Sequence, residues 1–544
     1  MSRSACVAVV RRTISSPIVY AEIETRNGPA LPVRRHVATV PLAACLAARL
    51  VVLNRFLSAC VIGIVLAGIA GSCRREPSPS SSTGASQPVE PAGPTPGPDN
   101  RRQSDAPASP DILIIIIDTL RADHLGCYGY FRDTSPTINA LAQESVVFER
   151  CMAPVALTLP THMSIFTGVY PYEHGFLSNI AKLGGLWIPS PALKTFATVL
   201  SENGYTTAGF VSAAPVKKIT GMAAGFSVWS EPSVKKVTGE DTTRRVLKWL
   251  DAGVPQPFML WVHYFDTHSP YEPPHPYDTM YQTDDALEAY MAKRRISDTA
   301  PKRYRKPRGE EGVRIKDSRQ DINHYDGELR HVDDQINRVF DALRRKGVWD
   351  RLAIVVTSDH GEGLGQHGRV EHAHIWGEQL HVPLLMRVPG RAHARIAEPL
   401  SSVDVLPTFL AMVPGVPADE FLSQCAGRAV LAGAGTSSPI YAQMPRSTNT
   451  GKVPSWSITV DGWRLIRDSE GNERLYDLRA DPYELNDVAD DYPDKTGGLR
   501  KRLEQIVTAQ KQRGQQNQAG RIEKMDSQHY DALKVLGYVG DEDE

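Results

Sequence analysis

Two stretches of this chain hold apolar side chains almost without interruption and then stop at acids. Ile112–Ile117 (ILIIII) ends at Asp118, and Leu352–Thr357 (LAIVVT) ends at Ser358-Asp359-His360. Runs of this length, rich in β-branched residues, predict strands covered on both faces, as in a parallel sheet. Phe258–Tyr264 (FMLWVHY) predicts another strand. Over Asp321–Leu343 the period changes: Leu329, Val332, Ile336, Val339 and Leu343 recur at spacings of three and four, the apolar stripe of a scaffold helix. Its acids Asp333 and Asp334 are expected on the solvated face or at packing edges. A further helix opens at Thr158, with Pro160 in a first turn that needs no N–H partner and Gly168 placed to end it. Farther on, Trp456–Val460, Asp461-Gly462 and Trp463–Arg467 predict a hairpin with a tight turn, and Leu475–Leu478 a following strand. Helices are predicted at Leu499–Gln510 and, ended by Gly537, at Tyr530–Tyr538. No internal repeat is visible.

The N-terminal pattern is different. Residues 1–50 are arginine-rich and lack lysine, and an apolar run from Phe56 to Ala70 then leads into Gly71-Ser72-Cys73. The run is short for a bilayer span and has the layout of a signal peptide core. Small residues before Cys73 resemble a bacterial lipobox, with Ala70 where Leu is usual; lipidation at Cys73 and plain cleavage are both open. Residues 1–50 are expected to be an unstructured extension of the gene model, with the true start near Val51, Val52 or Leu53, and 51–73 the signal peptide. Residues 74–110, rich in Pro, Ser and Gly, cannot bury apolar surface and are expected to form a flexible linker. N-terminal sequencing of the mature protein is expected to find nothing from residues 1–50.

The 544 residues exceed one compact core, so a large catalytic domain (111–435), a smaller domain (436–515) and a tail with a short helix (516–544) are expected. Lys+Arg is 61 against Asp+Glu 62, a net charge of −1, which argues against nucleic acid as a partner. None of the seven cysteines forms a CxxC pair, which excludes a zinc ribbon. Past Cys73, only Cys127, Cys151 and Cys425 remain, and one disulfide is open to them.

The chemistry concentrates at strand ends and one helix start. In open α/β sheets ligands gather beyond the carboxyl ends of strands, where Asp118 and Asp359-His360 stand. Alone, either acid could cap a turn; the pair makes a metal-site candidate. Thr158 sits at the positive end of a helix dipole, where a developing alkoxide is stabilised, and His162 lies one turn on, able to lean back toward it. The bland alternative is a capping threonine. Asp266-Thr267-His268 follows the strand at Phe258–Tyr264, and His372 and His374 lie in a loop expected to return to the same edge. The basic runs in 285–320 are expected to be a solvated loop rather than a lid.

Several ordered motifs resemble the sulfatase family of the alkaline phosphatase superfamily over roughly residues 111–490. They include Ile117–Tyr130 (IDTLRADHLGCYGY), Thr158–Gly168, Leu260–Pro274 (LWVHYFDTHSPYEPP), Tyr325–Ile336, Thr357–Gly368 (TSDHGEGLGQHG) and Glu473–Asp487. The resemblance implies an α/β fold with a large mixed, mostly parallel sheet sandwiched by helices, and a small C-terminal antiparallel subdomain. The chain also departs from the family. Thr158 stands where the family has the Cys or Ser that becomes formylglycine, His162 where it has Arg, Thr119 where it has a second Asp, and His360 where Asn is common. Formylglycine is not expected, because threonine would give a ketone. The set Asp118, Thr158, Asp359 and His360 instead resembles superfamily members with a Thr nucleophile, such as nucleotide phosphodiesterases and phosphoethanolamine transferases. By that resemblance Asp118, Thr158, Asp359 and His360 hold one divalent metal (Ca, Mn or Zn). Thr158 attacks, His162 and His268 assist, and His372 and His374 contact substrate. A second metal involving Asp266, His268, His372 and His374 stays open.

The leading expectation is an exported, metal-dependent hydrolase of a sulfuric or phosphoric ester, on a sulfated glycan or phosphate ester, in the periplasm or at the cell surface and held to the membrane by a lipid anchor if Cys73 is acylated. A phospho-group transferase and a non-catalytic binder of sulfated glycans are the alternatives. The oligomeric state is not legible.

Overall fold

The computed structural model describes residues 109–524 and 527, apart from 180, 182–184, 234–236, 306–310, 432–437 and 446–452, with backbone alone for 301–305 and 311–314. The signal peptide and its lipobox, the linker up to residue 108, and the helix expected at Tyr530–Tyr538 lie outside the described residues.

The main sheet is built from β1 (Asp111–Ile117), β2 (Val146–Met152), β3 (Thr206–Phe210), β4 (Val228–Ser230), β5 (Phe258–Tyr264), β6 (Leu352–Thr357), β7 (His381–Arg387), β8 (Ala394–Ile396) and β9 (Leu400–Ser401). Its nine strands run in the order β8–β2–β7–β6–β1–β5–β3–β4, with β9 also paired to β2. All pairings are parallel except those of β7, which is antiparallel to β2 and β6. The strand with the most continuous apolar run, β1, lies between β5 and β6, and all three run the same way.

Alternation splits β1 between two cores. Ile112, Ile114 and Ile116 pack with Leu159, Met163 and Phe166 of α2 (Thr158–Thr167), and with α3 (Phe196–Glu202) and α7 (Val405–Met412). Leu113, Ile115 and Ile117 face the opposite layer, with Val246 and Leu250 of α4 (Gly239–Asp251) and the stripe of α6 (Ser318–Arg345). Every isoleucine of β1 is essentially inaccessible to water, and each such burial contributes roughly 1.5–3 kcal/mol. The unbroken run is thus the signature of a strand with a helix layer on each side.

Two expectations need correction. Asp333 of α6 is not solvated; it is fully buried and its carboxylate accepts the N–H groups of Thr137 (2.8 Å) and Ile138 (2.9 Å) at the start of α1 (Pro136–Ala142). That helix has no side-chain cap of its own, so α6 supplies one. The basic stretch 285–320 is not an open loop either. It forms α5 (Asp285–Lys293), with Leu287, Tyr290 and Met291 buried at i, i+3, i+4, and an antiparallel hairpin pairing Thr299–Arg305 with Glu311–Asp317.

The second sheet comprises β10 (Ile440–Met444), β11 (Ser455–Val460), β12 (Trp463–Asp468) and β13 (Glu473–Asp477), antiparallel in that order. Asp461 (φ 49°) and Gly462 (φ 76°) give the β11–β12 hairpin two consecutive left-handed residues, the turn that matches strand twist. Leu499 and Leu503 of α8 (Pro493–Gln516) pack on Tyr441, Ile458, Leu465 and Leu475. The far end of α8 reaches back to the segment after α2: Arg513 pairs with Glu173, and Asn517 Nδ2 donates to the Glu173 carbonyl (3.1 Å). Cys127, Cys151 and Cys425 are free thiols. No helix among the described residues is long and apolar enough to cross a membrane.

Burial pushes the Asp333 carboxyl up from 3.8 to about 6. An acid raised in this way holds its proton more tightly folded than unfolded, so it lowers stability as pH rises from about 4 to about 6. Denaturant titrations are expected to show that loss in the wild type and not in Asp333→Asn. At neutral pH Asp333→Ala should cost about 1 kcal/mol or more relative to Asp333→Asn, because only the amide oxygen still caps α1.

Candidate active site

The carboxyl ends of β1, β5 and β6 meet the N-terminus of α2. Along these strands Ile116, Trp261 and Val355 face the α2 layer, and the same side carries Asp118, His263 and Asp359 at or beyond the strand ends. All three are fully buried, as are Thr158 and His360.

The backbone there is held by cross-links. Thr119 takes up a left-handed conformation (φ 55°), rare for a β-branched residue and costing about 1–3 kcal/mol. The turn brings its N–H to Asp359 Oδ1 (3.1 Å), while its hydroxyl donates to the Thr267 carbonyl (2.7 Å). The Thr267 hydroxyl in turn donates to the Asp118 carbonyl. Thr119 therefore does not face the site as a second acid would; it ties the three strand ends together. Asp359 Oδ1 also accepts the His360 N–H (2.8 Å), which leaves Oδ2 aimed inward.

The atoms that converge are Asp118 Oδ1 and Oδ2, Thr158 Oγ1, Asp359 Oδ2 and His360 Nε2. Each is buried, and apart from the contact between Thr158 and the Asp118 side chain none has a hydrogen-bond partner. Single ligand atoms of Asp118, Asp359 and His360 lie within 4.8 Å of one another. Burial, reinforced by the charge of Asp359, pushes the Asp118 carboxyl well above the usual range. Burial would raise Asp359 too, but His360, His162 and His263 outweigh it and hold that carboxyl low. Two facing carboxylates with orphaned oxygens and one imidazole nitrogen fit a divalent cation, which would relieve their repulsion. The mixture of oxygen and nitrogen donors without thiolate suits a hard or borderline ion.

Hydrogen bonds at Nδ1 set which nitrogen of each histidine carries the proton. In His360 Nδ1 donates to the Gly361 carbonyl (2.9 Å), leaving a lone pair on Nε2 that suits a metal ligand. His268 and His162 follow the same rule, donating to the carbonyls of Ser269 (2.7 Å) and Thr158 (2.8 Å). His162 does lean back along the helix, yet its bond is to the Thr158 backbone and not to the hydroxyl. His263 is reversed. The Ser212 N–H donates to its Nδ1 (3.3 Å), so Nε2 carries the proton and faces Asp118 Oδ2 at 3.4 Å. His263 thus presents an N–H rather than a lone pair toward Asp118. Burial lowers His162 to about 3 and His263 to about 4, so both are neutral at physiological pH.

The half-buried His268 ring stacks on Phe265 and meets His372 edge-on at 4.9 Å, and His372 lies 4.6 Å from His360. His268 and His372 thus form the rim of the buried group. His374 is fixed through its backbone N–H, which donates to Gln379 Oε1 (2.8 Å). Asp266 turns away from this rim toward α4 and α6, accepting the Gly239 N–H (2.8 Å) and lying 3.3 Å from His331. Sequence reasoning missed His263 and Glu362. A histidine inside an apolar strand reads as a core residue, and its signal was the parity it shares with Trp261. Glu362 is pushed up to about 8 by burial and then by Glu371, and its backbone carbonyl accepts from Arg121 (3.0 Å). A separate cavity of about 870 Å³, lined by Arg121, Arg294, Arg464, Arg479 and Tyr483 among others, opens beside the second sheet.

The sulfatase family model matches residues 110–416, more than half of the chain. The chain belongs to the sulfatase family. It is 23% identical over 442 residues to the uncharacterized sulfatase YidJ of Escherichia coli, covering 70% of this chain and 83% of that protein. It is 24% identical over 426 residues to the ulvan-active sulfatase of Formosa agariphila, covering 71% and 78%. The fold is shared with the phosphonate monoester hydrolase of Agrobacterium radiobacter, at TM-score 0.56 and 20% identity over 74% of this chain and 96% of that one. The protein is accordingly an ester hydrolase of the alkaline phosphatase superfamily. Enzymes of the sulfatase family generally use a divalent metal, and the site holds a donor set for one.

In chelator, Asp118→Asn is expected to melt at or above the wild type, because one of two facing buried carboxylates is gone. With manganese or zinc at a hundredfold excess over Kd, the wild type should gain about 2.7 kcal/mol more than Asp118→Asn, reversing the order. Thermal unfolding with and without metal reads both effects.

Proposed function

We propose that this sulfatase-family hydrolase cleaves a phosphoric ester through a covalent adduct on Thr158. The observation that carries the proposal is the Thr158 hydroxyl, buried at the first residue of α2 and within hydrogen-bond reach of Asp118, one of the donors fit for a cation. Asp118, Asp359, His360 and Thr158 Oγ1 would hold one divalent ion, which when bound supplies charge neutralisation for the transferred group and lowers the pKa of a bound hydroxyl.

The remaining chemistry belongs to the chain. Thr158 Oγ1 forms a bond to phosphorus as the bond to the leaving alkoxide breaks. The hydroxyl proton passes to solvent, and water protonates the leaving alkoxide. In the second step water oxygen bonds to phosphorus, the Thr158 Oγ1–phosphorus bond breaks, and the hydroxyl is restored. The dipole of α2 favours negative charge on Thr158 Oγ1. Thr158 is held in place by the His162–carbonyl bond and by Asn179, whose Oδ1 accepts the next N–H, that of Leu159 (2.9 Å). Burial and then His372 hold His268 well below the usual imidazole range, so it is neutral at rest. We assign it the proton of the attacking water through the Nε2 lone pair. His162 acts by positioning Thr158, and His372 and His374 are assigned to the substrate side.

A sulfuric ester is the second reading, favoured by the likeness to the ulvan-active sulfatase. It would pass through the same threonine, because a β-methyl group prevents formation of the aldehyde. Export ahead of the catalytic domain, with or without acylation of Cys73, remains part of this proposal, as does an anionic substrate.

Thr158→Ala is expected to lower kcat at least a thousandfold, the ~4 kcal/mol order of a lost nucleophile. Thr158→Ser should stay within about tenfold of wild type. Assays on an aryl sulfate, a phosphate monoester and a phosphate diester separate the two ester classes. Mass spectrometry of quenched enzyme should find the adduct on Thr158; a long-lived adduct points to a transferase. Full activity in Thr158→Ala would remove the assignment.

A further inference from the structure

On the opposite face of the β5 end from the catalytic residues, Asp266, Glu328 and His331 form a second group in which one ligand atom from each lies within 4.8 Å of the others. All three are buried, at 8%, 4% and 3% exposure. Glu328 and His331 stand at i and i+3 on α6, the Glu-x-x-His arrangement that points a carboxylate and an imidazole the same way. Asp266 enters from the loop after β5. Its Oδ1 accepts the Gly239 N–H at the start of α4, and the approach is close: a Cβ on Gly239 would meet the Asp266 carboxylate oxygens at 3.1 and 3.2 Å.

A tight hydrogen-bonded cluster would account for these residues if their atoms were satisfied, but two are not. Asp266 Oδ2 and His331 Nδ1 are both buried and without a hydrogen bond. The nearest approach between the residues, His331 Nδ1 to Asp266 Oδ1 at 3.3 Å, does not have the geometry of one. Burying a carboxylate oxygen and a ring nitrogen unpaired costs about 1–3 kcal/mol each, more for a charge. A single cation between them would satisfy both.

We propose that Asp266, Glu328 and His331 bind a second divalent ion, zinc or manganese, that is structural and separate from the catalytic one. Two carboxylates and an imidazole are the donors such ions take, with water completing the shell. The site clamps the loop 265–272 onto α4 and α6, since Glu328 Oε1 also accepts the Glu272 N–H (2.8 Å). That loop carries Thr267, bonded to the Asp118 carbonyl, and His268 of the active-site rim. The ion would therefore set the position of His268 without touching substrate.

Metal analysis of the full catalytic chain, dialysed against zinc or manganese and desalted, tests this. The wild type is expected to hold two ions per chain. His331→Asn and Glu328→Gln should each hold one and melt lower than wild type in metal but not in chelator. Asp118→Asn and Asp359→Asn should also hold one, and His331→Asn/Asp118→Asn none. A wild-type metal content that neither His331→Asn nor Glu328→Gln reduces would overturn the proposal. If instead Asp118→Asn leaves the content unchanged while His331→Asn lowers it, the catalytic-metal reading falls and this one stands. Two variants on α6 guard against misfolding of either, which circular dichroism would reveal.

Discussion

Two carboxylates facing each other in a dry interior cannot both stay charged without a positive partner. Asp118 and Asp359 are placed in this way by parallel neighbours whose register leaves no slack, and the surrounding structure serves that placement. Backbone donors consume one oxygen of Asp359 and direct the other inward. A proton held on His263 faces Asp118. The helix carrying Thr158 points its positive end at the same spot. Replacing any one of these would leave a buried charge uncompensated, which is why conformational strain at Thr119 is tolerated.

Thr119 and His360 show how a family site is rebuilt. Where the resemblance puts a second acid, Thr119 acts as a latch, its N–H and hydroxyl turned to Asp359 and Thr267. His360, where the resemblance puts an amide, offers an imidazole whose Nε2 lone pair is fixed by the bond from Nδ1 to the Gly361 carbonyl.

Much of this was legible in the chain. Apolar runs ending in Asp118 and Asp359-His360 predicted buried strands, and put two acids and a histidine at neighbouring strand ends. Pro160 and Gly168 marked the ends of the helix that begins with Thr158. What escaped was set by partners distant in sequence. Asp333 looks solvated until α1 is seen docking against it. His263 looks like core until Asp118 lies opposite, and Asp266 looked like a rim residue until His331 drew it to the other face. In the 285–320 stretch abundant charge masked a spacing, Leu287, Tyr290 and Met291, that was helical all along.

The return of α8 to Glu173 bears on how the molecule is made. A ribosome completes the nine strands and the helix of Thr158 before it releases residues 493–516, and until then the apolar face formed by Tyr441, Ile458, Leu465 and Leu475 is open to whatever is nearby. The nascent enzyme therefore carries a sticky surface until α8 emerges, and that helix both seals it and fastens the segment behind Thr158.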